Sequence, residues 1–281
     1  MELERAVTIV IPTHNRPDFL REAIRSALAQ TLECEVIVVE HGGDFPANNV
    51  ASEFGERVKY LGLPDDYGPH FSWLHGVLAA KGRYIKILFD DDLIDPHFVE
   101  QALKLMDKNV GFVFCASRLI GPDGQSLGSK NLYSGLFRHT GIKEGWLSRR
   151  KIQRIVISPG AMLARREDVI DALYQGRLPF QKRSYFGVGP DHNIKLLGLL
   201  RYPAFAYVAS PAASFRAHDA SITISSQHSI VNSRAFRQAY LEPYFQFRLL
   251  RFHRPFLATL RVMDFLAEAC KALLRVLTRR Q

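Results

Sequence analysis

The feature that most constrains this chain is a strand-like segment that stops at three consecutive carboxylates. Residues 84–89 read Tyr-Ile-Lys-Ile-Leu-Phe, and Asp90, Asp91 and Asp92 follow at once. A nearly continuous apolar run indicates a strand that is buried on both faces of a sheet. Adjacent carboxylates repel one another unless a cation, donor groups or water compensate. Because ligands bind beyond the carboxyl ends of strands in α/β sheets, the triplet predicts a site for a divalent cation and a diphosphate.

An acidic turn that caps the next helix is the purely structural alternative for the triplet. Asp95 followed by Pro96 has the pattern of a helix N-cap with proline at the first helical position. Since Asp95 accounts for the cap by itself, the triplet still requires another explanation.

Strand-like and helix-like segments alternate on both sides of this point. Strands are predicted over residues 7–11, 35–39, 58–61, 84–89, 111–117, 161–164 and 204–209, and helices over 18–30, 47–54, 70–80, 96–107, 166–174 and 191–200. The first four strand–helix repeats predict βαβ units, and therefore an α/β fold with a mostly parallel central sheet flanked by helices. The stretch from the turn at 121–124 to about residue 158, and residues 214–221, are predicted to be irregular or loop-like.

Sequence features that are missing narrow the class of protein. No Gly-x-Gly-x-x-Gly follows the first strand and no Walker-type loop is present, which argues against a classical NAD domain and a P-loop NTPase. The three cysteines are widely spaced, so neither a disulfide framework nor a zinc site is predicted. With no signal-peptide pattern and no long apolar span, a cytoplasmic location is expected.

The net charge of +9 is concentrated near the C-terminus, where residues 237–281 contain nine Lys or Arg residues and only three acids. Apolar residues recur there at helical spacing: Phe256, Leu260, Met263, Ala267, Cys270, Leu274 and Leu277. We therefore expect a domain over residues 1–225 and a basic amphipathic helical extension over residues 226–281. The extension is suited to the inner face of an anionic membrane, and packing on the domain or on another subunit is the alternative. No nucleic-acid partner is predicted, because no reader motif accompanies the charge.

In order along residues 6–225, these motifs resemble the family 2 glycosyltransferases of the GT-A, Rossmann-like fold. The resemblance is carried by the first strand with Pro-Thr-His-Asn-Arg (12–16), the second strand with an acid, the fourth strand with the triplet, and two distal motifs, an Asp that opens a helix and Arg-x-His. It implies a nucleotide-diphospho-sugar donor, a divalent cation (Mn²⁺ or Mg²⁺) and inversion at the anomeric carbon. The acceptor implied is a glycan or a lipid-linked molecule.

The resemblance also assigns residues to the nucleotide-sugar. The predicted binding residues are Pro12, Thr13, Asn15, Arg16, Glu40, Asp66, Asp90 and Arg216. Glu40 stands where the family usually has an Asp, and is one methylene longer. A helix-entry turn at Asn15-Arg16 and a plain Asp turn at Asp66 are the structural alternatives.

The remaining assignments concern the cation and the proton transfer. The predicted metal residues are Asp91, Asp92 and His218, while Phe89 replaces the first acid of the family's usual Leu-Asp-x-Asp-Asp pattern. Asp90 is assigned to the ribose or to the surroundings of the metal and Asp91 to the metal, whereas Asp92 is open between a ligand, a supporting group and a solvated acid. Asp191 is the predicted general base, which takes the proton from the acceptor hydroxyl. A helix N-cap is its structural alternative.

Two other functions remain open on the sequence. A catalytically inactive GT-A domain that serves as a glycan-binding or scaffold subunit is compatible with the departures at Phe89, Glu40 and Pro190. A sugar-phosphate nucleotidyltransferase would share the α/β layout, but it would carry a Gly-rich basic loop after the first strand, where this chain has Pro-Thr-His-Asn-Arg.

Overall fold

The computed structural model describes residues 6–42, 47–65, 68–128, 132–133, 136–153, 155–173, 190–218 and 241, with only the backbone of Pro190 and Asp191. Within these ranges the strands are β1 (Val7–Thr13), β2 (Glu35–His41), β3 (Val58–Leu63), β4 (Tyr84–Ile87), β5 (Leu93–Ile94), β6 (Val110–Ile120), β7 (Gly141–Lys143), β8 (Met162–Arg165) and β9 (Ala204–Arg216). The helices are α1 (Pro17–Leu28), α2 (Ala47–Ser52), α3 (Pro69–Ala79), α4 (Phe98–Leu105), α5 (Gly145–Gln153), α6 (Arg166–Leu173) and α7 (Pro190–Arg201).

One sheet joins all of these strands in the order β3-β2-β1-β4-β8-β6-β9-β5, with β7 also paired to β9. The first four strands in this order are mutually parallel. This is the half that the βαβ alternation predicts, and the predicted α/β fold is confirmed. Beyond β4 the sheet is mixed, because β8 runs antiparallel to both of its neighbours while β6 and β9 are parallel.

The core follows from the burial of the sheet on both faces. The central strands β1 and β2 are buried along almost their whole length, which explains their continuous apolar sequence. Helix α1 covers them with Leu20, Ala23, Ile24 and Ala27, which lie one turn apart on the same face. On α3, a Cβ added at Gly76 would lie 2.4 Å from Val10 and 2.9 Å from Val39, so this helix packs unusually close to the sheet.

Three local predictions are corrected. The apolar run at residues 84–89 leaves the strand at Ile87, and the triplet lies in the turn that follows. Residues 214–216, predicted to be loop-like, complete β9, because Ser214 pairs with Leu93 and Arg216 pairs with Ile120. The stretch predicted to be irregular contains β7 and α5, which pack against distant elements and carry little local signal.

The C-terminal extension cannot be compared with its prediction, since residues 219–240 and 242–281 lie outside the described ranges. The same holds for the proposed boundary at residue 225. Among the helices that the described ranges contain, none has both the length and the apolar character needed to cross a bilayer.

Candidate active site

The ends of three strands meet around the acidic triplet. The end of β1 brings Thr13, and the loop after it brings Arg16. The turn after β4 brings the carboxylates, the end of β9 brings Arg216, and His218 follows two residues later. Strands β1 and β4 are parallel neighbours, so their carboxyl ends lie at the same edge of the sheet. The triplet is therefore placed where the strand-end argument predicts it.

Of the three carboxylates, Asp90 makes the most contacts with the end of β1 and the loop that follows it. Its Oδ2 accepts hydrogen bonds from Thr13 Oγ1 at 2.9 Å and from the backbone N of His14 at 3.3 Å, and its Oδ1 lies 3.1 Å from Arg16 Nη1. Burial and the neighbouring charge of Asp91 raise the pKa of Asp90 to about 6, although Arg16 and Thr13 oppose the shift. Asp90 thus ties the fourth strand to the loop that follows the first strand.

Asp91 is the most exposed carboxylate of the three. Its Oδ2 lies 2.7 Å from Arg16 Nη1 and 3.0 Å from His218 Nε2. One oxygen thus faces both a permanent cation and an imidazole. Asp91 and His218, two of the three residues that the sequence assigns to the metal, are thus brought together.

Asp92 is turned toward the end of β9. Its Oδ1 accepts a hydrogen bond of 3.0 Å from the backbone N of Arg216. Burial and the adjacent charge of Asp91 raise its pKa well above the usual range. The carboxylate is buried, so of the alternatives left open by the sequence the solvated acid is wrong.

Arg216 has a different environment from the one that its predicted role implies. Its buried guanidinium donates to the backbone oxygens of Asp91 (2.9 Å) and Pro122 (2.7 Å) and to Glu22 Oε2 (2.5 Å). The guanidinium also lies over the Phe19 ring, 4.6 Å from its centre. These contacts direct its donors to protein acceptors instead of an open site. The geometry therefore favours Arg216 as a residue that positions the triplet and the β9 end.

Glu40 lies at the end of β2, on the same edge of the sheet. It is buried, and its carboxylate accepts a hydrogen bond of 3.0 Å from the backbone N of Ala47, the first residue of α2, and another from the Tyr60 hydroxyl. Burial and this carboxylate raise the pKa of Tyr60 to about 12. Glu40 thus joins β2, β3 and α2 beside the β1 loop.

The other predicted binding residues are placed in part. Pro12 is buried on β1 opposite Val39, and Asn15 is exposed with a left-handed backbone (φ 55°), a conformation that asparagine tolerates. Asp66 lies outside the described residues. Asp191 lies in the first turn of α7, and its side chain is outside the description.

Sequence reasoning missed a buried lysine under the triplet. Lys86 is fully buried on β4, and its Nζ donates to the backbone oxygens of Ile87 and Gly160. Burial lowers its pKa to about 8. The signal in the sequence was a single lysine within an otherwise apolar strand, and the structure explains it as a link between β4 and the segment that precedes β8.

Two histidines at the same edge were also given no role by the sequence. The rings of His14 and His41 stack with centroids 4.9 Å apart, and His14 Nδ1 lies 2.8 Å from the backbone oxygen of His41. This pair joins the ends of β1 and β2 and lines the edge beside Asp90.

The carboxylates of Asp90 and Asp91 are oxygen ligands of the kind that a divalent cation uses. Among the described residues, no three His, Cys, Asp or Glu side chains are arranged as a complete metal site. The Arg16 guanidinium forms ion pairs with Asp90 and Asp91, so these two carboxylates already face one positive charge. Because Mg²⁺ and Mn²⁺ favour oxygen ligands and usually share them with substrate phosphates, this partial carboxylate set fits such a cation.

The raised pKa of Asp90 gives a testable pH dependence. An acid whose pKa is higher in the folded protein (about 6, against 3.8) contributes stability that is complete below pH 3.8 and is lost as the pH rises through 6. Without metal, the free energy of unfolding of the wild type should therefore fall by about 2–3 kcal/mol between pH 4 and 7, relative to Asp90→Asn. Urea unfolding in EDTA at both pH values measures this difference. Glu167→Gln, on the exposed side of α6, is the control, and parallel pH profiles of wild type and Asp90→Asn would contradict the prediction.

Comparison with known proteins shows that the chain is similar to glycosyltransferases. The sequence model described as Glycosyl transferase family 2 matches residues 8–172, more than half of the chain. An uncharacterized glycosyltransferase of Rickettsia typhi is 35% identical over 126 residues, which cover 43% of this chain and 39% of that protein. Chondroitin synthase of Pasteurella multocida is 32% identical over 124 residues, 42% of this chain and 13% of the synthase. The chain therefore spans well under half the length of these relatives.

Solved structures agree on the fold. The S. aureus TarS 1–349 structure in complex with UDP-GlcNAc has a TM-score of 0.59 and covers 86% of this chain and 73% of TarS 1–349. At 14% sequence identity this similarity concerns the fold alone.

Proposed function

The chain belongs to glycosyl transferase family 2, and we propose that it transfers a sugar from a nucleotide-diphospho-sugar to a hydroxyl of a glycan or lipid-linked acceptor. The observation that carries the proposal is the meeting of the β1, β4 and β9 ends, where Asp91 faces both Arg16 and His218. Family membership removes the nucleotidyltransferase alternative, because the match to the transferase family over residues 8–172 includes β1 from Thr8 onward and the whole of β4, two of the three strands whose ends form the site.

The nucleotide-sugar is proposed to bind along the edge formed by the ends of β1 and β2. Thr13, Arg16 and Asp90 already form one hydrogen-bonded unit there, and Glu40 lies at the end of the adjacent strand. Pro12, Asn15 and Asp66 are proposed to complete the contacts with the nucleotide. The TarS complex with UDP-GlcNAc, whose protein shares the fold, supports a donor of this class.

A divalent cation, Mn²⁺ or Mg²⁺, is proposed to bind at Asp91 and His218, with Asp92 in support. When bound, the cation neutralises charge that develops on the departing diphosphate. Asp91 is the most exposed carboxylate of the triplet. Asp92, held by the backbone N of Arg216, keeps the turn in place, and Arg216 fixes the same turn through the backbone oxygen of Asp91.

Asp191 is proposed as the general base of a single displacement with inversion. A carboxylate that accepts the proton from the acceptor hydroxyl as its oxygen attacks the anomeric carbon is what this reaction needs. Its position in the first turn of α7 supports the role, since a helix N-terminus favours the charged form of an acid.

Membrane association through residues 226–281, at the inner face of the membrane, remains part of the proposal. It rests on the basic amphipathic pattern of that sequence and would bring the enzyme to a lipid-linked acceptor.

Calorimetric titration with UDP-, GDP-, CDP- and dTDP-sugars, with and without Mn²⁺, tests the proposal. One nucleotide class should bind, and its affinity should depend on the cation. Folded protein that binds none of them would contradict the proposal and favour the scaffold alternative. A nucleotide-sugar that binds equally well with and without Mn²⁺ would support the proposed donor class but contradict the proposed metal site.

A further inference from the structure

The outer face of helix α5 combines exposed apolar and basic side chains. Trp146 is 59% exposed and Leu147 is 74% exposed, and Arg150 and Lys151 one turn later are exposed as well. Residues four apart lie on the same side of a helix, so these four side chains form one surface, which we call the α5 face. The Arg150 guanidinium lies 4.9 Å from the centre of the Trp146 ring, which joins the two kinds of side chain.

Contacts on the opposite side of α5 hold this face outward. Arg149 Nη1 donates to the backbone oxygens of Tyr202 and Pro203, both at 2.7 Å, just beyond the end of α7. In return, the fully buried Lys195 of α7 donates from Nζ to the backbone oxygen of Ile152 at 3.1 Å. Each helix therefore supplies a cation to the C-terminal end of the other, where cations are favoured. These contacts turn the opposite side of α5 toward α7 and leave Trp146 and Leu147 on its outer side.

The surroundings of the α5 face are strongly basic. Apart from the inward-facing Arg149, residues 138–151 contain four Lys or Arg residues, Arg138, Lys143, Arg150 and Lys151, against the single acid Glu144. Ile142, on the β7 edge strand that leads into the helix, is 42% exposed. The patch thus presents apolar groups inside a positively charged border.

A second exposed apolar pair on the molecule lacks this charge. Phe71 and Leu78 on α3 are 47% and 53% exposed, but that helix contains no Lys or Arg. The basic border distinguishes the α5 face from ordinary exposed apolar side chains and indicates a partner that is both anionic and apolar.

We infer that the α5 face docks on a membrane surface rich in anionic phospholipid, independently of the C-terminal extension. Tryptophan and leucine enter the boundary between headgroups and acyl chains, while Lys and Arg bind the anionic headgroups. A soluble polyanion would satisfy the charges, but it offers no apolar layer for Leu147, which is the most exposed large apolar residue described.

Tryptophan fluorescence of the full-length chain tests the docking directly. The chain has two tryptophans, and Trp73 is only 6% exposed, so Trp146 dominates any response to added surfaces. Equimolar phosphatidylcholine–phosphatidylglycerol vesicles should shift its emission to shorter wavelength, and brominated acyl chains should quench it. Pure phosphatidylcholine vesicles should do neither.

Vesicle co-sedimentation of variants completes the test. Leu147→Ser and Arg150→Gln/Lys151→Gln should each weaken partitioning on the order of tenfold, whereas Phe71→Ser/Leu78→Ser should leave it unchanged. Unchanged Trp146 emission would overturn the inference, as would equal losses in the α3 control. An emission shift with dextran sulfate, without quenching by brominated lipid, would assign the face to a soluble polyanion instead.

Discussion

Replacing Asp91 by alanine is expected to abolish cation-dependent binding of the nucleotide-sugar and to lower the rate of transfer by about a thousandfold. Asp91 is the most exposed carboxylate of the triplet, and its Oδ2 faces both Arg16 and His218. Removing it leaves Asp90 held by Thr13, and Asp92 held by Arg216, so neither can take its place without breaking an existing contact. Calorimetry with and without Mn²⁺, together with steady-state transfer rates, measures both effects.

The same change should leave the fold intact. Asp91 is only partly buried, and its loss removes a negative charge that repels the carboxylates of Asp90 and Asp92 and raises their pKa values. Far-ultraviolet circular dichroism should match the wild type, and Glu167→Gln should keep full affinity and rate as the matched acid-to-neutral control. Cation-dependent donor binding that survives in Asp91→Ala would show that the metal is held elsewhere.

Replacing Asp191 by asparagine is expected to lower kcat by about 10²–10⁴-fold while the dissociation constant of the nucleotide-sugar stays the same. The reason is that a general base acts on the acceptor hydroxyl and contributes in the transition state, whereas the donor is proposed to bind at the β1, β2 and β4 ends. Single-turnover kinetics at saturating donor separate chemistry from binding.

A residue two positions further along the same turn provides the control for Asp191. Asn193→Ala removes a half-buried side chain from α7 without removing a carboxylate, and its kcat should change by less than about twofold. Turnover retained in Asp191→Asn would remove the residue from the mechanism. A matching loss of donor affinity would instead make it part of the donor site.

Much of the parallel half of the fold was predictable from the sequence. Strands β1 to β4 are apolar runs bounded by turn residues, and α1 has the spacing of one buried face, so their existence follows from short-range patterns. The strand-end rule also predicted the position of the triplet, because it needs only the direction of the strand. The mixed half was less predictable, since short elements such as β5 and β7 acquire their structure from pairing with β9.

The burial of charged residues shows where local patterns stop being informative. Lys86 and Lys195 lie in segments that read as ordinary strand and helix, yet both are fully buried and bind backbone oxygens of distant segments. A sequence pattern contains no information on which carbonyl groups a lysine will reach.

The sequence by itself determined the α/β class, the family and the acidic triplet at a strand end, because these depend on periodicity and on motifs of a few residues. Only the tertiary structure decided the individual roles within the triplet. Arg216 and His218 reach Asp92 and Asp91 across more than 120 positions of the chain, and they do so because β9 extends to Arg216 and pairs with both β5 and β6. That register buries Asp92, directs Arg216 toward protein oxygens and leaves Asp91 the most exposed carboxylate of the triplet, an arrangement that no local pattern could specify.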